Sequence, residues 1–345
     1  MRFIGCKTLL LDKIKEVIDE NVHDASTFCD IFSGTSVVSR YFKQWYEITS
    51  NDILYFSYIL QRATVENDAI PSFSNLKPLG IIDPVQYLNE MNISEMEILE
   101  QEKRFFQNTY APKGGRMYVN DENALRIDYA RNTVENWHEL NLINDDEYYY
   151  LVACIVEGIP FVSNISGTYG AFHKEWERRS YKKFELFRLD VLTNGKNNRS
   201  FNEDGVELLK RIAGDILYID PPYNGRQYLP NYHVLETAAK YDFPEVRGIT
   251  AQRPYENNKS DFCLKGKVIE AFSNLMENAD YEHIILSYST DGLMSVKDIE
   301  AIMKKYGIAQ TFKIYEIPHR RYKSRTQGEK DELKELLVYV RKAKE

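Results

Sequence analysis

The strongest constraint on this chain lies at residues 216–223, where the apolar run Ile216-Leu217-Tyr218-Ile219 stops at Asp220-Pro221-Pro222-Tyr223. A short, unbroken apolar run bounded by turn residues is the pattern of a strand buried on both faces, as in a sheet covered by helices. Proline lacks an amide donor, fixes its own φ and pushes the preceding residue into extended backbone. Two in succession end the ladder and leave a stiff segment at the carboxyl edge of the sheet, where open α/β folds bind ligands. The Asp220 carboxylate and the carbonyls that follow it are then held in one direction, with the Tyr223 ring beside them. Such a strip suits a planar amino nitrogen whose lone pair is delocalised into a ring. Acceptors that take both N–H hydrogens draw the nitrogen towards tetrahedral geometry, while the aromatic face stacks on the ring. Positioning and preorganised acceptors, rather than a strong base, carry chemistry of this kind. The competing reading is a plain Pro-Pro turn at a strand end.

The pattern around this strip divides the 345 residues into three blocks. In residues 1–60, Leu9-Leu10-Leu11 with Ile14, Val17 and Ile18 has helical spacing. Thr27–Phe32 reads as a strand, Thr35–Phe42 as a helix and Tyr46–Ser50 as a second strand, which together make a βαβ unit of a parallel sheet. Residues 200–345 return to this pattern, with strands at 216–219 and 283–288 and a helix at 296–306. Two last strands, near 311–317 and 336–340, are expected to form an antiparallel hairpin on the sheet edge. The block 61–199 lacks buried-strand runs. Its polar helical stretches, Ile93–Tyr110 and Glu122–Leu142, and a turn or hairpin at Asn164–Gly170 predict an inserted, mainly helical domain.

A second chemical signal is Asp30-Ile31-Phe32-Ser33-Gly34-Thr35-Ser36, a small-residue loop directly after a buried strand. Asp52 ends the next strand, roughly 20 positions on, where an acid is placed to bind ribose hydroxyls. A helix cap is the other reading of a lone acid there. The loop has a single glycine, so it does not fit the GxGxxG fingerprint, which counts against a nicotinamide-dependent oxidoreductase.

Taken together, these segments resemble the D12 (alpha) class of adenine-specific DNA methyltransferases, which includes Dam-like enzymes and the modification enzymes of restriction systems. The resemblance covers both α/β blocks and the order of their motifs. A segment of the type (F/W)xG(G/S)K is matched by Phe3-Ile4-Gly5-Cys6-Lys7. The loop type DxFxGxG is matched by Asp30–Ser36, followed by Asp52, a variable insert and DPPY at Asp220–Tyr223. It implies a Rossmann-like α/β sheet for residues 1–60 and 200–345 and a target-recognition role for the insert 61–199. It also implies that S-adenosylmethionine is held by Phe3, Gly5, Lys7, Asp30, Phe32, Ser33, Gly34, Thr35, Ser36, Asp52, Asp204 and Asp220. Of these, Lys7 and Phe3 would lie near the methionine end, Asp52 on the ribose and Asp204 on the cofactor adenine. Asp220, Pro221, Pro222 and Tyr223 are the implied catalytic strip, and Tyr228–Glu236 and Leu286–Ser289 the segments that shape the target-base pocket. Cys6 and Ser36 depart from the family pattern, and Ser36 predicts a positive φ on a non-glycine residue or crowding of the ligand.

The formal net charge of -8 argues by itself against a nucleic-acid binder, but a local field decides what enters a cleft. Two basic stretches are candidates for DNA contact. One is Arg320-Arg321-Tyr322-Lys323, taken as a grip on the backbone through Arg320, Arg321 and Lys323. The other lies in the insert, with Tyr169, Lys174 and Arg178 as the chosen contacts and His173, Arg179, Lys182 and Lys183 beside them. Double-stranded DNA is the expected partner, with the target base flipped out of the stack and a cognate restriction endonuclease alongside. No signal peptide or membrane span is read, the four scattered cysteines predict neither disulfides nor a metal site, and a cytoplasmic monomer or weak dimer is expected. Methylation of RNA adenine, cytosine N4 or a glutamine amide, and a non-catalytic DNA-binding relative, are the rival readings.

Overall fold

In the computed structural model, which describes residues 5–318 and 334–343, the buried runs become seven strands of one sheet. They are β1 Thr27–Asp30, β2 Glu47–Asn51, β3 Arg199–Phe201, β4 Ala213–Ile219, β5 Asp280–Ser289, β6 Lys313–Pro318 and β7 Lys334–Arg341. Their order is β3-β2-β1-β4-β5-β7-β6. The first five are parallel, and β7 pairs antiparallel with both β5 and β6. The last two strands thus form the expected hairpin, but β7 lies inside the sheet and β6 is its edge. β3 has no counterpart in the sequence reading.

Side chains alternate across each strand, and the alternation sorts the site from the core. Cys29, Leu217, Ile219, Ile284, Leu286, Leu336 and Val338 face one way, into a core shared with helices Val268–Asn278 and Val296–Tyr306. Phe28, Asp30, Tyr218, Ser287 and Glu335 therefore face the other way, as does Asp220 one step beyond β4. On that side Phe28 stacks on Phe42 of helix Val37–Phe42 at 4.7 Å, and helix Leu11–Asn21 buries Ile14, Val17 and Ile18. The sheet and these helices form one compact unit, made of Lys7–Ile53, Lys196–Gln227 and Asn258–Glu345.

The second unit comprises Met1–Cys6, Leu54–Gly195 and Tyr228–Asn257. Its main helices are Tyr55–Gln61, Asp121–Glu139, Asp145–Val162 and Tyr228–Lys240. Asn120 and Asn144 cap the two longest through their side chains, the latter in a capping box with Glu147. The expected single helical stretch Ile93–Tyr110 is broken into Ile93–Met96, a short turn and Phe105–Thr109. The expected boundaries at residues 60 and 200 shift to 53 and 196, and the segment after the strip Asp220–Tyr223, Tyr228–Asn257, joins this unit. The physical reason is visible at Glu236, fully buried, whose carboxylate accepts the amides of Tyr55 (3.1 Å) and Phe56 (3.0 Å) at a helix N-terminus. No helix among the described residues is long and apolar enough to cross a membrane.

Candidate functional site

The strip Asp220–Tyr223 leaves β4 as the prolines require, between the carboxyl ends of β1 and β5. Lys7 folds over it. Its Nζ lies 3.0 Å from Asp220 Oδ1 and 3.2 Å from the Tyr223 hydroxyl, and 5.1 Å from the Tyr223 ring centre. Lys7 is 4% exposed while Asp220 keeps 16%, so the carboxylate is the member of the pair that an incoming group can reach. Burial raises the Asp220 pKa to about 6, against the lowering effect of Lys7, and Glu335 adds to the rise. Burial alone would lower the Lys7 pKa, but Asp220, Tyr223, Tyr218 and Glu335 leave it well above the ordinary lysine value. Burial likewise pushes the Tyr223 hydroxyl up to about 12.

The strip is braced on its far side. The Tyr223 carbonyl accepts the Leu293 amide at 2.9 Å, and its ring meets Tyr288 edge-on at 5.6 Å. Tyr288 in turn accepts the Met294 amide at 3.1 Å. Further along, Gln227 and Ser260 exchange two hydrogen bonds, of 2.8 and 3.1 Å. Reading the sequence singled out Tyr288, within Leu286–Ser289, but not the rest of this brace, whose members are spread over some 70 positions and act largely through backbone amides.

The second loop sits at the ends of β1 and β2. Asp30 is 1% exposed; its Oδ2 accepts from Ser39 Oγ at 2.7 Å, and its Oδ1 has no hydrogen-bond partner among the described residues. Burial raises the Asp30 pKa to about 7, with Asp220 and Asp52 adding to the rise against Ser39. Gly34 adopts φ +50°, and its amide donates to Asp52 at 2.8 Å, so Asp52 shapes the loop as well as ending β2. Ser33 donates its amide and its hydroxyl to the Asn51 carbonyl, each at 2.9 Å. Ser36 does adopt the left-handed conformation, at φ 60° and ψ 19°, and its buried Oγ has no partner among the described residues. Thr35 is buried beside it, while Phe32 is half-buried and meets Phe262 edge-on at 5.2 Å.

Asn51 was missed by sequence reasoning. Its side chain donates to the carbonyls of Ile31 and Glu203 (3.1 Å each) and accepts the Glu203 amide (3.1 Å). It thus ties the ends of β1, β2 and β3 together and brings Asn202–Asp204 to the same edge. Asp204 is exposed there and caps helix Gly205–Leu209 by accepting the amides of Val206 and Glu207. Gly5 has φ +78°, and Cys6 is an exposed free thiol. Phe3, Arg320, Arg321 and Lys323 lie outside the described residues.

One expected DNA contact is corrected. Tyr169 is 1% exposed, its hydroxyl lies 3.0 Å from Ser163 Oγ, and its ring packs near Tyr118 in the core of the helical unit. An aromatic side chain with its hydroxyl satisfied internally belongs to the core rather than to a contact surface. Lys174 and Arg178 are exposed, whereas Arg179 is ion-paired to Glu177 and His173 Nε2 lies 3.1 Å from the same carboxylate.

Comparison with known proteins agrees with this geometry. Residues 3–305 match the family described as D12 class N6 adenine-specific DNA methyltransferase. Among curated proteins, the chain is similar to the type II methyltransferase M.FokI of Planomicrobium okeanokoites, with 49% identity over 99% of this chain and 53% of that protein. It is 41% identical to the modification methylase StsI of Streptococcus sanguinis over 99% of this chain and 52% of that protein. It is 33% identical to the type II methyltransferase M.NlaIII of Neisseria lactamica, here over 94% of this chain and 93% of the relative. The chain therefore spans about half the length of the first two relatives and nearly all of the third. With its family match covering most of its length and its strip and loops assembled on one sheet edge, the chain belongs to the D12 class of N6 adenine-specific DNA methyltransferases.

Proposed function

We propose that this chain transfers the methyl group of S-adenosylmethionine to N6 of adenine in double-stranded DNA, as the modification arm of a restriction–modification system. The observation that carries the proposal is the pairing of Asp220 with a nearly buried Lys7 on a rigid Pro-Pro strip. The relatives support it in their names, which describe type II methyltransferases and modification methylases.

The loop residues fit the donor. Two buried polar atoms, Asp30 Oδ1 and Ser36 Oγ, are left unsatisfied on one loop among the described residues. Each unsatisfied atom costs about 1–3 kcal/mol, which a ligand with cationic and hydroxyl groups would recover. Asp30, Phe32, Ser33, Gly34, Thr35, Ser36, Asp52 and Asp204 would hold the nucleoside and methionine parts, with Gly5 and Lys7 completing the set. When bound, S-adenosylmethionine supplies an electrophilic methyl group on a sulfonium, which departs as a neutral thioether.

The chain's own residues supply the rest. The amino group of adenine is unreachable within a duplex, so the base must swing out of the stack. Tyr223, held between Lys7 and Tyr288, offers its ring to the base. Asp220 accepts one amino hydrogen and a strip carbonyl the other, which frees the nitrogen lone pair. As the nitrogen gains the methyl group it must lose one of its two protons, and Asp220 is the acceptor within reach. With a pKa of about 6 it is mostly ionised at neutral pH and able to accept that hydrogen.

In the helical unit, Lys174 and Arg178 are proposed as DNA contacts, and this unit as the reader of the target sequence. The test is transfer of labelled methyl from S-adenosylmethionine to unmodified genomic DNA, with N6-methyladenine identified in the hydrolysate and Asp220→Ala as control. Label in RNA but not DNA would move the substrate. No label with DNA binding retained would make this a non-catalytic relative. Sequencing for modified bases in a host that expresses the chain gives the recognition site.

A further inference from the structure

A second acid shares the sheet face and the carboxyl edge of the Lys7–Asp220 pair. Glu335 is on β7, opposite Ser289 of β5 and beside Ile317 of β6. The register places it on the same face of the sheet as Ser287, Tyr218 and Asp220, at the same carboxyl edge. It is 7% exposed, and its Oε2 is buried without a hydrogen-bond partner among the described residues. An acid carries one of the highest costs of burial, so a side chain with a free buried oxygen is retained at a site only if something cationic or hydrogen-donating comes to it. Lys7 is a cation on that face, and Asp220 and Tyr223 already hold it. The field of Glu335 is felt at all three of these groups, raising the pKa of each.

We propose that Glu335 is a positioning residue of the transfer site: its carboxyl group shares the Lys7 ammonium with Asp220, so that Asp220 can release the lysine and turn to the incoming amino group. The inference rests on the proposed transfer to adenine. Without a second acceptor, Lys7 would hold Asp220 in a closed ion pair, and the strip would meet the base with its acceptor occupied. With Glu335 present, the lysine moves between two carboxyl groups and stays paired throughout. Other titratable groups felt around the pair are Tyr223 on the strip, Tyr218 on β4 and Asp30 on β1.

The test uses the whole chain with Glu335→Gln and, as the conservative variant, Glu335→Asp. Two readings are taken. The first is the single-turnover rate of methyl transfer to unmodified genomic DNA between pH 5 and 9. The second, independent of activity, is the titration midpoint of Asp220, followed by NMR of carboxyl-labelled aspartate and assigned with Asp220→Asn. Glu335→Gln is expected to slow transfer by about 10- to 100-fold, the scale of a misplaced reacting group. It should also move both the acid limb of the rate and the Asp220 midpoint to lower pH, because the lysine then belongs to Asp220 alone. Glu335→Asp should recover part of both. An unchanged midpoint in Glu335→Gln overturns the sharing, even if the rate falls, because loss of packing alone leaves the titration in place. If the wild type transfers no methyl group, the adenine reading fails, and the midpoint comparison still decides whether the two acids share Lys7. Should Glu335→Gln not fold, the midpoint and rate of Glu335→Asp decide in its place, intermediate shifts supporting the sharing and wild-type values overturning it.

Discussion

At the scale of single residues, the site is marked by groups the protein would be more stable without. Ser36 holds a left-handed conformation that glycine takes without strain, so Ser36→Gly should raise stability by about 1 kcal/mol in urea unfolding. The same change should weaken S-adenosylmethionine binding, since it removes an unsatisfied hydroxyl from the loop; a gain in both would show that Ser36 does not face the donor. Asp30 has a pKa raised from 3.8 to about 7 by burial. The folded chain therefore binds that proton more tightly than the unfolded one. Its contribution is fully present at acid pH and is lost as pH rises from about 4 through 7, by about 4 kcal/mol at most. Asp30→Asn should flatten the fall in melting temperature across that window. Lys7 acts in the opposite sense to Glu335 on Asp220. Lys7→Met should therefore move the acid limb of transfer to higher pH, and a limb that stays in place would detach Lys7 from the mechanism.

Single elements show where the sequence was legible. The run at 216–219 and the two prolines announced β4 and its end, because burial on both faces leaves no polar interruption. Helix Val296–Tyr306 has the bounds read from the sequence, and the structure adds a Ser295 capping box at its start. β3 escaped because Arg199-Ser200-Phe201 is short and only half-buried at an edge, so neither length nor alternation betrays it. Helix Asp145–Val162 escaped for the opposite reason: it is buried nearly all round, and a helix without a polar face shows no period. Glu335 looked like one more charge in a polar stretch, since only strand pairing carries it to the site. The brace behind Tyr223 yields a prediction at this scale. A Cβ on Gly292 would come within 2.2 Å of the Tyr288 ring, which itself packs edge-on against the Tyr223 ring. Gly292→Ala should displace both rings and lower the transfer rate, with donor affinity little changed. Equal loss of both in stopped-flow binding and rate measurements would point to general unfolding instead.

For the whole molecule, the main misreading was of ownership. Helix Tyr228–Lys240 follows the strip Asp220–Tyr223 by only a few residues, yet it belongs to the helical unit, where Glu236 caps helix Tyr55–Gln61. Proximity in sequence gave no hint of this, because the cap is a contact across some 180 positions. The net charge of -8 was equally uninformative about DNA, since binding depends on where cations are exposed. Lys174 and Arg178 are exposed in the helical unit. If both meet phosphates, changing the pair to Ala should reduce the slope of log affinity against log salt by about 1.8. An unchanged slope would move the contact surface elsewhere.

The position of β7 bears on how the chain is made. β7 follows β5 and β6 in the chain yet is inserted between them. As the polypeptide emerges from the ribosome, β6 has no neighbour to pair with until β7 arrives, and β5 presents an open edge meanwhile. That edge, with Ile284, Ile285 and Leu286 at its centre, is the kind of apolar, unpaired template on which other chains can add strands. The sheet is therefore completed by the latest of its segments, and that same segment delivers Glu335. Until β7 is made, a nascent chain would both lack Glu335 and keep the apolar edge of β5 open to other strands.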